Sequence, residues 1–475
     1  DMAIWQRVQG TFLRLGWGKT GSRVLWMALP LLAALWMLLR LISVDAVAKS
    51  STEGDSHANG HSTPRAAWHT LYEPSEPPKD EPLGLAPWSK AAAGAKTPAK
   101  PPREKPTENG ETLFLQTYQL LNAGEHAQAM QVAQTMVERF PNFQLGQFIY
   151  ADLLASLSGG LPERDALLQH PDVRHRLSQL KAEALQRTRH QDKAFFAGQY
   201  PAPVRYLSPN VAQVVLVDAQ KSRLYVLANQ RDDAGKRSFK VVFDAYVSIG
   251  NNGMGKWREG DGKTPAGVYF VQKHLTDPML PDLYGSGALT LDYPSPIDKE
   301  QRRTGSGIWL HGSPSQQYAR PPTATDGCVV LANQDLLALK KFVDIGSTQV
   351  VISERLDFVP IDVWQSHRKA ALRMVDTWKK DLEKGFSKGI YHYASDVKID
   401  GQGLIEWQKN QQISNKSFGK ISIDDLTVMR YPSDKDMMLV SFRQEDKLSG
   451  EIRKQQYWMK VGTRWQIVQE DTFKL

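Results

Sequence analysis

The stretch Ile308–Leu331, IWLHGSPSQQYARPPTATDGCVVL, contains the chain's only cysteine, Cys328, and a histidine, His311, upstream of it. The segment IWLH indicates a short apolar strand that ends at His311, and the apolar residues after Cys328 indicate a second buried strand. Three prolines in the segment between them predict a loop. The stretch therefore predicts two strands joined by a loop that folds the imidazole back over the thiol.

A thiol beside an imidazole is a minimal set of groups for acyl transfer. The thiolate is the reactive nucleophile, and the imidazole can take the thiol proton and later return it to a leaving amine. Gly327, just before Cys328, would let backbone N–H groups near both residues turn toward a substrate oxyanion. The alternative is that Cys328 is a small buried hydrophobic residue and His311 a core histidine.

A glycine-rich segment, Ser248–Phe270 (SIGNNGMGKWREGDGKTPAGVYF), lies upstream. It is not a nucleotide-binding loop, because G-x-x-x-x-G-K-[ST] is missing and a strand follows it. Together with HGS, the spacer and TDGCVVL, this segment resembles the L,D-transpeptidase catalytic domain of the YkuD type. The resemblance covers about Val211–Glu354 and implies a β-sandwich-like fold. It also implies cysteine-dependent acyl transfer on peptidoglycan stem peptides.

The resemblance implies roles for single residues. Cys328 corresponds to the nucleophile, His311 to the general base and acid, and Gly312 to the residue whose carbonyl orients the imidazole. The family often has His before Gly-Cys and Arg or Asn two residues after Cys, whereas this chain has Asp326 and Val330. The acyl acceptor, an amine or water, stays open.

Substrate-binding residues are expected around the pair. An arginine there could hold a peptide carboxylate through two hydrogen bonds, and Arg320 in the loop is the preferred candidate. The predicted substrate-binding residues are Tyr284, Arg320, Thr325, Asp326 and Gly327.

The composition is that of an ordinary globular protein. The 475 residues are enough for two to four domains, and 41% are hydrophobic and 23% charged. The net charge is +8, but the basic residues are spread along the chain, so nucleic acid is only weakly indicated as a partner and an acidic cell-wall polymer is at least as consistent with the charge. No metal or cofactor is expected, because the spacing of the histidines is not that of metal ligands. The histidines considered are His274, His311, His367 and His392.

Val24–Leu39 is an uninterrupted apolar run, and residues 24–43 are predicted to be a transmembrane anchor. Basic residues precede the run, which favours residues 1–23 in the cytoplasm and the rest of the chain in the periplasm, held at the inner membrane. A cleavable signal peptide, with Ala46–Ala48 as a candidate cleavage site, is the alternative. The basic residues are Arg7, Arg14, Lys19 and Arg23.

Residues 44–110 are rich in Pro, Ala, Ser, Lys and Glu and are predicted to form a disordered tether. The export that the anchor implies also bears on Cys328. A single cysteine in an oxidising compartment has no partner within its own chain for a disulfide. This favours a chemical role for the thiol over simple packing.

Residues 111–205 have apolar residues at helical spacing with a break at Ala123–Gly124, which predicts a helix–turn–helix. The pattern resembles one tetratricopeptide-like unit, and one such unit is not stable alone. We expect it to pack on the catalytic domain or on a second copy. The apolar stripe raises the hypothesis of a homodimer through this region.

Residues 206–355 switch to strand periodicity and predict the β-rich catalytic domain. Residues 360–475 predict one amphipathic helix followed by long strands, an α+β arrangement similar to the nuclear-transport-factor-2-like fold. Its aromatic residues are expected either to line a pocket or, for most of them, to form core. These aromatic residues are Trp378, Tyr391, Tyr393, Trp407, Trp458 and Trp465.

The complete prediction is a multidomain chain with an anchor, a helical tetratricopeptide-like region, the catalytic domain and the terminal α+β domain. This architecture resembles the cell-shape L,D-carboxypeptidases of helical bacteria. The expected function is 3→3 cross-linking of peptidoglycan through an acyl-enzyme on Cys328. The alternatives are a carboxypeptidase that trims the tetrapeptide to a tripeptide, and a non-catalytic wall-binding scaffold.

Overall fold

The structure is a computed structural model that describes only part of the chain. The predicted cytoplasmic segment 1–23, the anchor 24–43 and nearly all of the linker 44–110 lie outside the described residues. In the described part, no helix combines the length and the apolar character needed to cross a membrane. The described residues are 108–157, 169–190, 198–231, 237–276, 280–411 and 418–474.

The first described elements are helices. The Asn109 side chain caps the first of them by accepting a hydrogen bond from the Thr112 backbone N–H. The break predicted at Ala123–Gly124 is the turn that ends this helix, where Gly124 has a φ of 79°. The four helices are α1 (Gly110–Asn122), α2 (His126–Arg139), α3 (Gln144–Leu157) and α4 (Pro171–Arg189).

These helices, the helical region, pack on the rest of the chain. Leu113 and Phe114 of α1 belong to one apolar cluster with Tyr318 and Ala332, which flank the predicted nucleophile in sequence. Tyr318 is only 6% exposed. Of the two packing partners expected for the helical region, the structure contains the contact with the catalytic domain.

Strands follow. The elements from Gln199 to Ser353 are β1 (Gln199–Pro201), β2 (Val204–Leu207), β3 (Gln213–Asp218), β4 (Arg223–Arg231), β5 (Arg237–Gly250), β6 (Gly267–Leu275), β7 (Ala288–Leu291), α5 (Pro296–Glu300), β8 (Trp309–His311), β9 (Thr323–Thr325), β10 (Val329–Leu331), α6 (Asn333–Leu339) and β11 (Gln349–Ser353).

Nine of these strands form one sheet in the order β10-β8-β7-β6-β11-β3-β4-β5-β9, and β10 also pairs with β5. The second pairing folds the sheet back on itself around an apolar interior. The apolar run of β3 is buried on both faces. Val215 and Val217 face this interior, whereas Val214 and Leu216 face a second cluster shared with the terminal domain.

The terminal domain is one long helix on a seven-stranded sheet. The elements are β12 (Phe358–Pro360), α7 (Ile361–Glu383), α8 (Phe386–Gly389), β13 (Tyr393–Ile399), β14 (Gln402–Gly403), α9 (Leu404–Gln411), β15 (Ser422–Arg430), β16 (Met437–Asp446), β17 (Gly450–Val461) and β18 (Arg464–Lys474). The sheet order is β14-β13-β18-β17-β16-β15-β2. The apolar stripe of the long helix, including Trp364 and Trp378, is buried.

Most of the aromatic residues of this domain are core. Trp378 and Trp458 are fully buried, and Tyr393 and Trp407 belong to the same apolar cluster. Tyr391 is 73% exposed. The interpretation as core residues therefore fits most of the set better than a pocket lining.

The catalytic strands are inserted into the terminal domain. β2 precedes the catalytic sheet in sequence but pairs with β15 at the edge of the terminal sheet. β1 likewise pairs with β12, which follows the catalytic sheet. The chain enters and leaves the catalytic domain through these two pairings.

Candidate active site

Strand register places the predicted nucleophile and base on one face. β8 and β10 are parallel neighbours, with Leu310 opposite Val329 and His311 opposite Val330. Leu310 and Val329 are fully buried in the apolar interior, so His311 and Val330 face the other side. Cys328 directly precedes β10, and its charge affects the pKa of Tyr284, whose ring lies 5.1 Å from the His311 ring, so the thiol lies on the side of His311. Ordinary strand geometry separates the Cα atoms of Cys328 and His311 by roughly 8 Å.

The His311 imidazole is buried and held in one tautomer. Its Nδ1 lies 2.7 Å from the Gly312 carbonyl oxygen. A carbonyl only accepts, so Nδ1 carries the hydrogen and Nε2 keeps a free lone pair. Burial lowers the pKa of His311 to about 4, and the charge of Arg320 acts in the same direction, against the Gly312 hydrogen bond. The imidazole is therefore a neutral base at pH 7.

Gly312 is required by close packing. A Cβ atom at this position would lie 2.1 Å from Asn333 Oδ1. The Asn333 amide also donates to the Ser313 carbonyl at 2.8 Å, and Gly312 N–H donates to the Tyr284 carbonyl at 3.1 Å. These contacts fix the backbone on which the His311 ring depends.

The Cys328 thiol is neutral in the resting protein. It is partly accessible, and its Sγ donates to the Gly307 carbonyl at 3.2 Å. Burial raises the pKa of Cys328 to about 11, although a hydrogen bond from the Trp309 backbone and the charges of Arg320 and Lys256 act against this rise. The sequence alone suggested a thiolate, whereas the free site holds a neutral thiol near a neutral imidazole.

The turn before Cys328 is held by Thr325 and Gly327, two of the residues predicted to bind substrate. Thr325 Oγ1 donates to the Cys328 carbonyl at 2.7 Å and accepts from Gly327 N–H at 3.1 Å. Gly327 has a φ of 127°, and a Cβ atom there would lie 2.6 Å from the Lys263 carbonyl. The Gly327 N–H was expected to help stabilise an oxyanion, but Thr325 already binds it. The Cys328 N–H is left as the candidate donor.

The glycine-rich segment braces this turn. Thr264 Oγ1 donates to the Gly327 carbonyl at 2.9 Å and accepts from Gly250 N–H at 2.9 Å. Asn251 N–H donates to the Thr325 carbonyl at 2.7 Å. The segment thus positions Cys328 through its backbone and one buried hydroxyl.

The remaining predicted residues border the site to different degrees. The Tyr284 ring meets the His311 ring edge-on at 5.1 Å, and burial, followed by the charge of Cys328, raises the pKa of its phenol. Arg320 lies near enough to Cys328 and Asp326 for their charges to affect its pKa. Asp326 is exposed. Tyr284, Arg320 and Asp326 therefore surround the thiol, while Thr325 and Gly327 build the turn.

Sequence reasoning missed several groups at the site. Asn333 lies two residues after the strand that follows Cys328, and its place in VVLAN could have drawn attention to it. Lys256 is 4% exposed and pairs with Asp261 at 3.0 Å. Gly307 contributes only a carbonyl, which no side-chain pattern reveals. Across the described residues, no group of three or more His, Cys, Asp or Glu side chains is placed to hold a metal ion.

Two family models match the chain. Residues 212–352 match the L,D-transpeptidase catalytic domain, YkuD, and residues 370–471 match the Cds6 C-terminal NTF2-like domain. These matches confirm two resemblances seen in the sequence, the one to the L,D-transpeptidase catalytic domain and the one to the nuclear-transport-factor-2-like fold. A search among curated proteins gives no match.

Solved structures similar to this chain include Bd1075 of Bdellovibrio bacteriovorus, with 25% identity and a TM-score of 0.49, covering 58% of this chain and 100% of that one. The helical cell shape determining protein Pgp2 of Campylobacter jejuni has 24% identity and a TM-score of 0.45, covering 57% and 94%. An NTF2-like protein of Pseudomonas putida covers 23% of this chain and 88% of its own, at 15% identity and a TM-score of 0.20.

Proposed function

We propose that this chain, whose residues 212–352 are an L,D-transpeptidase catalytic domain, cleaves the L,D bond of a peptidoglycan tetrapeptide stem through an acyl-enzyme on Cys328. The observation that carries the proposal is the register of β8 and β10. Because β8 pairs with β10, His311 lies beside the strand that Cys328 directly precedes, and its Nδ1 is bonded to the Gly312 carbonyl, which supports Nε2 as the base for the Cys328 thiol.

The acylation step follows from these positions. His311 Nε2 takes the proton of Cys328 as the sulfur attacks the carbonyl at the L-centre of the diamino acid. A thioester bond forms, the bond to the D-alanine nitrogen breaks, and His311 gives its proton to the departing amine. The Cys328 N–H is the candidate donor to the oxyanion.

The resting protonation state has a consequence for reactivity. Because the pKa of Cys328 is about 11 and that of His311 about 4, proton transfer is unfavourable before substrate binds. We expect it to accompany attack. Alkylation of the free thiol by iodoacetamide should therefore keep rising above pH 9. A plateau near pH 7 would indicate a preformed ion pair instead.

The acceptor decides the product. An amine acceptor that attacks the thioester gives a 3→3 cross-link, and water gives a tripeptide stem. His311 would remove the acceptor proton in either case, so the acylation half is common to both. The tripeptide outcome is the alternative function, a trimming enzyme for cell-shape control.

The decisive experiment is intact-mass spectrometry of the purified protein with a disaccharide tetrapeptide. We expect a transient adduct on Cys328 and loss of D-alanine. A Cys328→Ala variant should form neither, and His311→Gln should slow both by at least about a hundredfold. His274→Gln, on an exposed histidine of β6, is the matched control and should behave like the wild type.

The product list separates the alternatives. Cross-linked dimers identify transpeptidation, and tripeptide monomers alone identify the carboxypeptidase. If Cys328→Ala keeps full function in cells and no adduct forms with a carbapenem, the chain is a wall-binding scaffold and the proposal is wrong.

We also propose that the enzyme is anchored in the inner membrane by residues 24–43 and acts in the periplasm. The apolar run and the proline-rich tether of the sequence support this placement. Release of the protein from membranes by salt wash alone would argue against the anchor. A homodimer through the helical region is a further proposal, which sedimentation as a monomer at high concentration would contradict.

A further inference from the structure

The loop between His311 and Cys328 is held from outside the catalytic domain. The Tyr318 ring lies 4.5 Å from Phe143 and 5.4 Å from Phe140, measured between centroids. Its hydroxyl accepts from the Gly110 backbone N–H at 3.0 Å, and its backbone N–H donates to the Asn142 carbonyl at 3.0 Å. The helical region therefore anchors the middle of this loop.

A second anchor lies two residues further on. The Tyr246 hydroxyl donates to the Arg320 carbonyl at 2.9 Å. Ser248 Oγ donates to the Pro321 carbonyl at 2.5 Å, and Ile249 N–H donates to the Pro322 carbonyl at 2.9 Å. Three donors of β5 thus fix the backbone at and just after Arg320.

The helical region also reaches this second anchor. The Arg187 guanidinium of α4 lies 4.0 Å from the centre of the Tyr246 ring and 5.3 Å from that of Phe143. Arg187 is 1% exposed and pairs with Glu183 at 2.8 Å and with Glu111 at 3.2 Å. A buried guanidinium held by two carboxylates is a rigid support for the aromatic ring on which it stacks.

These two anchors fix the position of Arg320. Its Nη1 donates to the Ala324 carbonyl at 3.3 Å. Its Nε is buried and has no hydrogen-bond partner among the described residues. Its guanidinium is close enough to Cys328 and His311 to influence the pKa of both. A buried donor left unsatisfied beside a nucleophile suits an anionic group of the substrate.

We propose that Arg187, Tyr246 and Tyr318 are positioning residues, through which the helical region holds Arg320 beside the Cys328 thiol to receive a carboxylate of the substrate. The helical region is then part of the working active site. The carboxylate partner rests on the proposed function, since the terminal residue of a tetrapeptide stem carries one. The placement of Arg320 does not depend on that function.

The test compares two alkylating reagents on the full chain without peptidoglycan. Iodoacetate is anionic and iodoacetamide neutral, so the ratio of their rates on Cys328 reports the cation beside the sulfur. We expect Arg320→Met to lower the ratio about tenfold. Tyr246→Phe, which keeps the ring and removes the hydroxyl, should lower it about threefold. Arg187→Met should do the same, with Arg187→Lys giving partial rescue.

A matched pair elsewhere in the chain provides the control. Arg368 lies 5.2 Å over the Tyr206 ring, outside the catalytic loop. Arg368→Met and Tyr206→Phe should leave the ratio unchanged. Circular dichroism of Tyr246→Phe verifies folding, so this variant keeps the test valid if Arg187→Met loses its helical packing.

The outcomes are distinct. An unchanged ratio in Tyr246→Phe and Arg187→Met, with a lowered ratio in Arg320→Met, would overturn the positioning role. An unchanged ratio in Arg320→Met would overturn the placement of its cation at the sulfur. With tetrapeptide, we expect KM to rise several-fold and kcat to change little in Tyr246→Phe. If no acyl-enzyme forms but the ratios fall, the proposed function fails and the positioning role stands.

Discussion

The two regions that flank the catalytic domain contact it by different physical means. The helical region meets it through an apolar cluster and also through buried charges, with Glu111 of α1 3.0 Å from Arg223 of β4. The terminal domain shares an apolar cluster and a strand pairing with it. The contact that reaches the catalytic loop therefore includes buried charges beside its apolar part, and it should be sensitive to pH and to the loss of a single charged group.

The buried charges form one compensated cluster. Glu111 pairs with both Arg187 and Arg223, and Arg223 also lies 3.6 Å from Asp244. Burial alone would raise the pKa of Glu111, but the two arginines outweigh it and bring the pKa to about 2. Such a cluster tolerates the removal of one member poorly, because the remaining charges stay buried.

The largest loss of stability is expected from a substitution in the apolar contact between the catalytic and terminal domains. Trp364 of α7 stacks on Tyr200 at 5.0 Å and meets Phe239 of β5 edge-on at 5.4 Å, and Phe239 packs against the shared apolar cluster. Trp364→Ala should lower the free energy of unfolding by about 4 kcal/mol. Denaturant unfolding should show the catalytic and terminal domains losing stability together. Trp257→Ala is the control: this tryptophan is 56% exposed, so its removal should change the free energy of unfolding little. A loss confined to the terminal domain would contradict the shared core.

The next largest loss of stability is expected from a substitution among the buried charges between the helical region and the catalytic domain. Glu111→Gln leaves Arg187 and Arg223 under-compensated and should cost about 3 kcal/mol. We expect limited proteolysis to release the helical region first while the terminal domain stays intact. Glu108→Gln removes an exposed partner of Arg139 and is the control. Equal protease resistance of the two variants would show that the cluster contributes little.

A smaller effect depends on pH. Burial, followed by the charge of Glu111, raises the pKa of Asp335 to about 7. The folded protein therefore binds this proton more tightly than the unfolded chain, and stability falls as pH rises from about 4 to 7. Asp335→Asn should raise the free energy of unfolding at pH 8 by about 1 kcal/mol, and the gain should vanish near pH 4.

Asp362→Asn is the control for this pH effect. Asp335 lies in the first turn of α6, and Asp362 lies in the first turn of α7 but is exposed. It tests the contribution of the helix dipole alone. Thermal melts between pH 4 and pH 8 measure both variants. A gain for Asp335→Asn that is independent of pH would rule out the titration.

The smallest effect is expected at an exposed ion pair. Arg355 lies 3.1 Å from Asp357 beside the strand that leads into the terminal domain, and their side chains are 66% and 48% exposed. Asp357→Asn should change the free energy of unfolding by less than about 0.5 kcal/mol. A change as large as that of Glu111→Gln would mean that burial does not explain the difference between the two contacts.

The arrangement of the candidate site could be predicted because it is local in sequence. His311, Gly312 and Cys328 lie in one stretch, and the apolar residues beside them predict the strands that bring them together. The tautomer of His311 follows from the next residue's carbonyl. The neutral thiol could not be predicted, since the burial that raises its pKa comes from residues distant in the chain.

The support of the catalytic loop could not be predicted for the same reason. In the sequence Tyr318 is an ordinary loop residue, because its contacts come from helices that are distant in the chain. Glu111 and Arg223 lie on a helix and a strand with no shared periodicity, so no pattern links them. The sheet to which β2 belongs could not be predicted from its composition, because its residues would suit either neighbouring sheet. Only its pairing with β15 assigns it to the terminal sheet.

The pairing of β2 with β15 bears on how the chain can be divided. A fragment that begins at Pro360 would lack its seventh strand and leave the backbone groups of β15 open to other chains, a common route to aggregation. A fragment that ends before Phe358 would likewise leave β1 without β12. The terminal domain should therefore be produced together with the catalytic domain, and domain exchange between relatives should succeed only when both crossing segments move together.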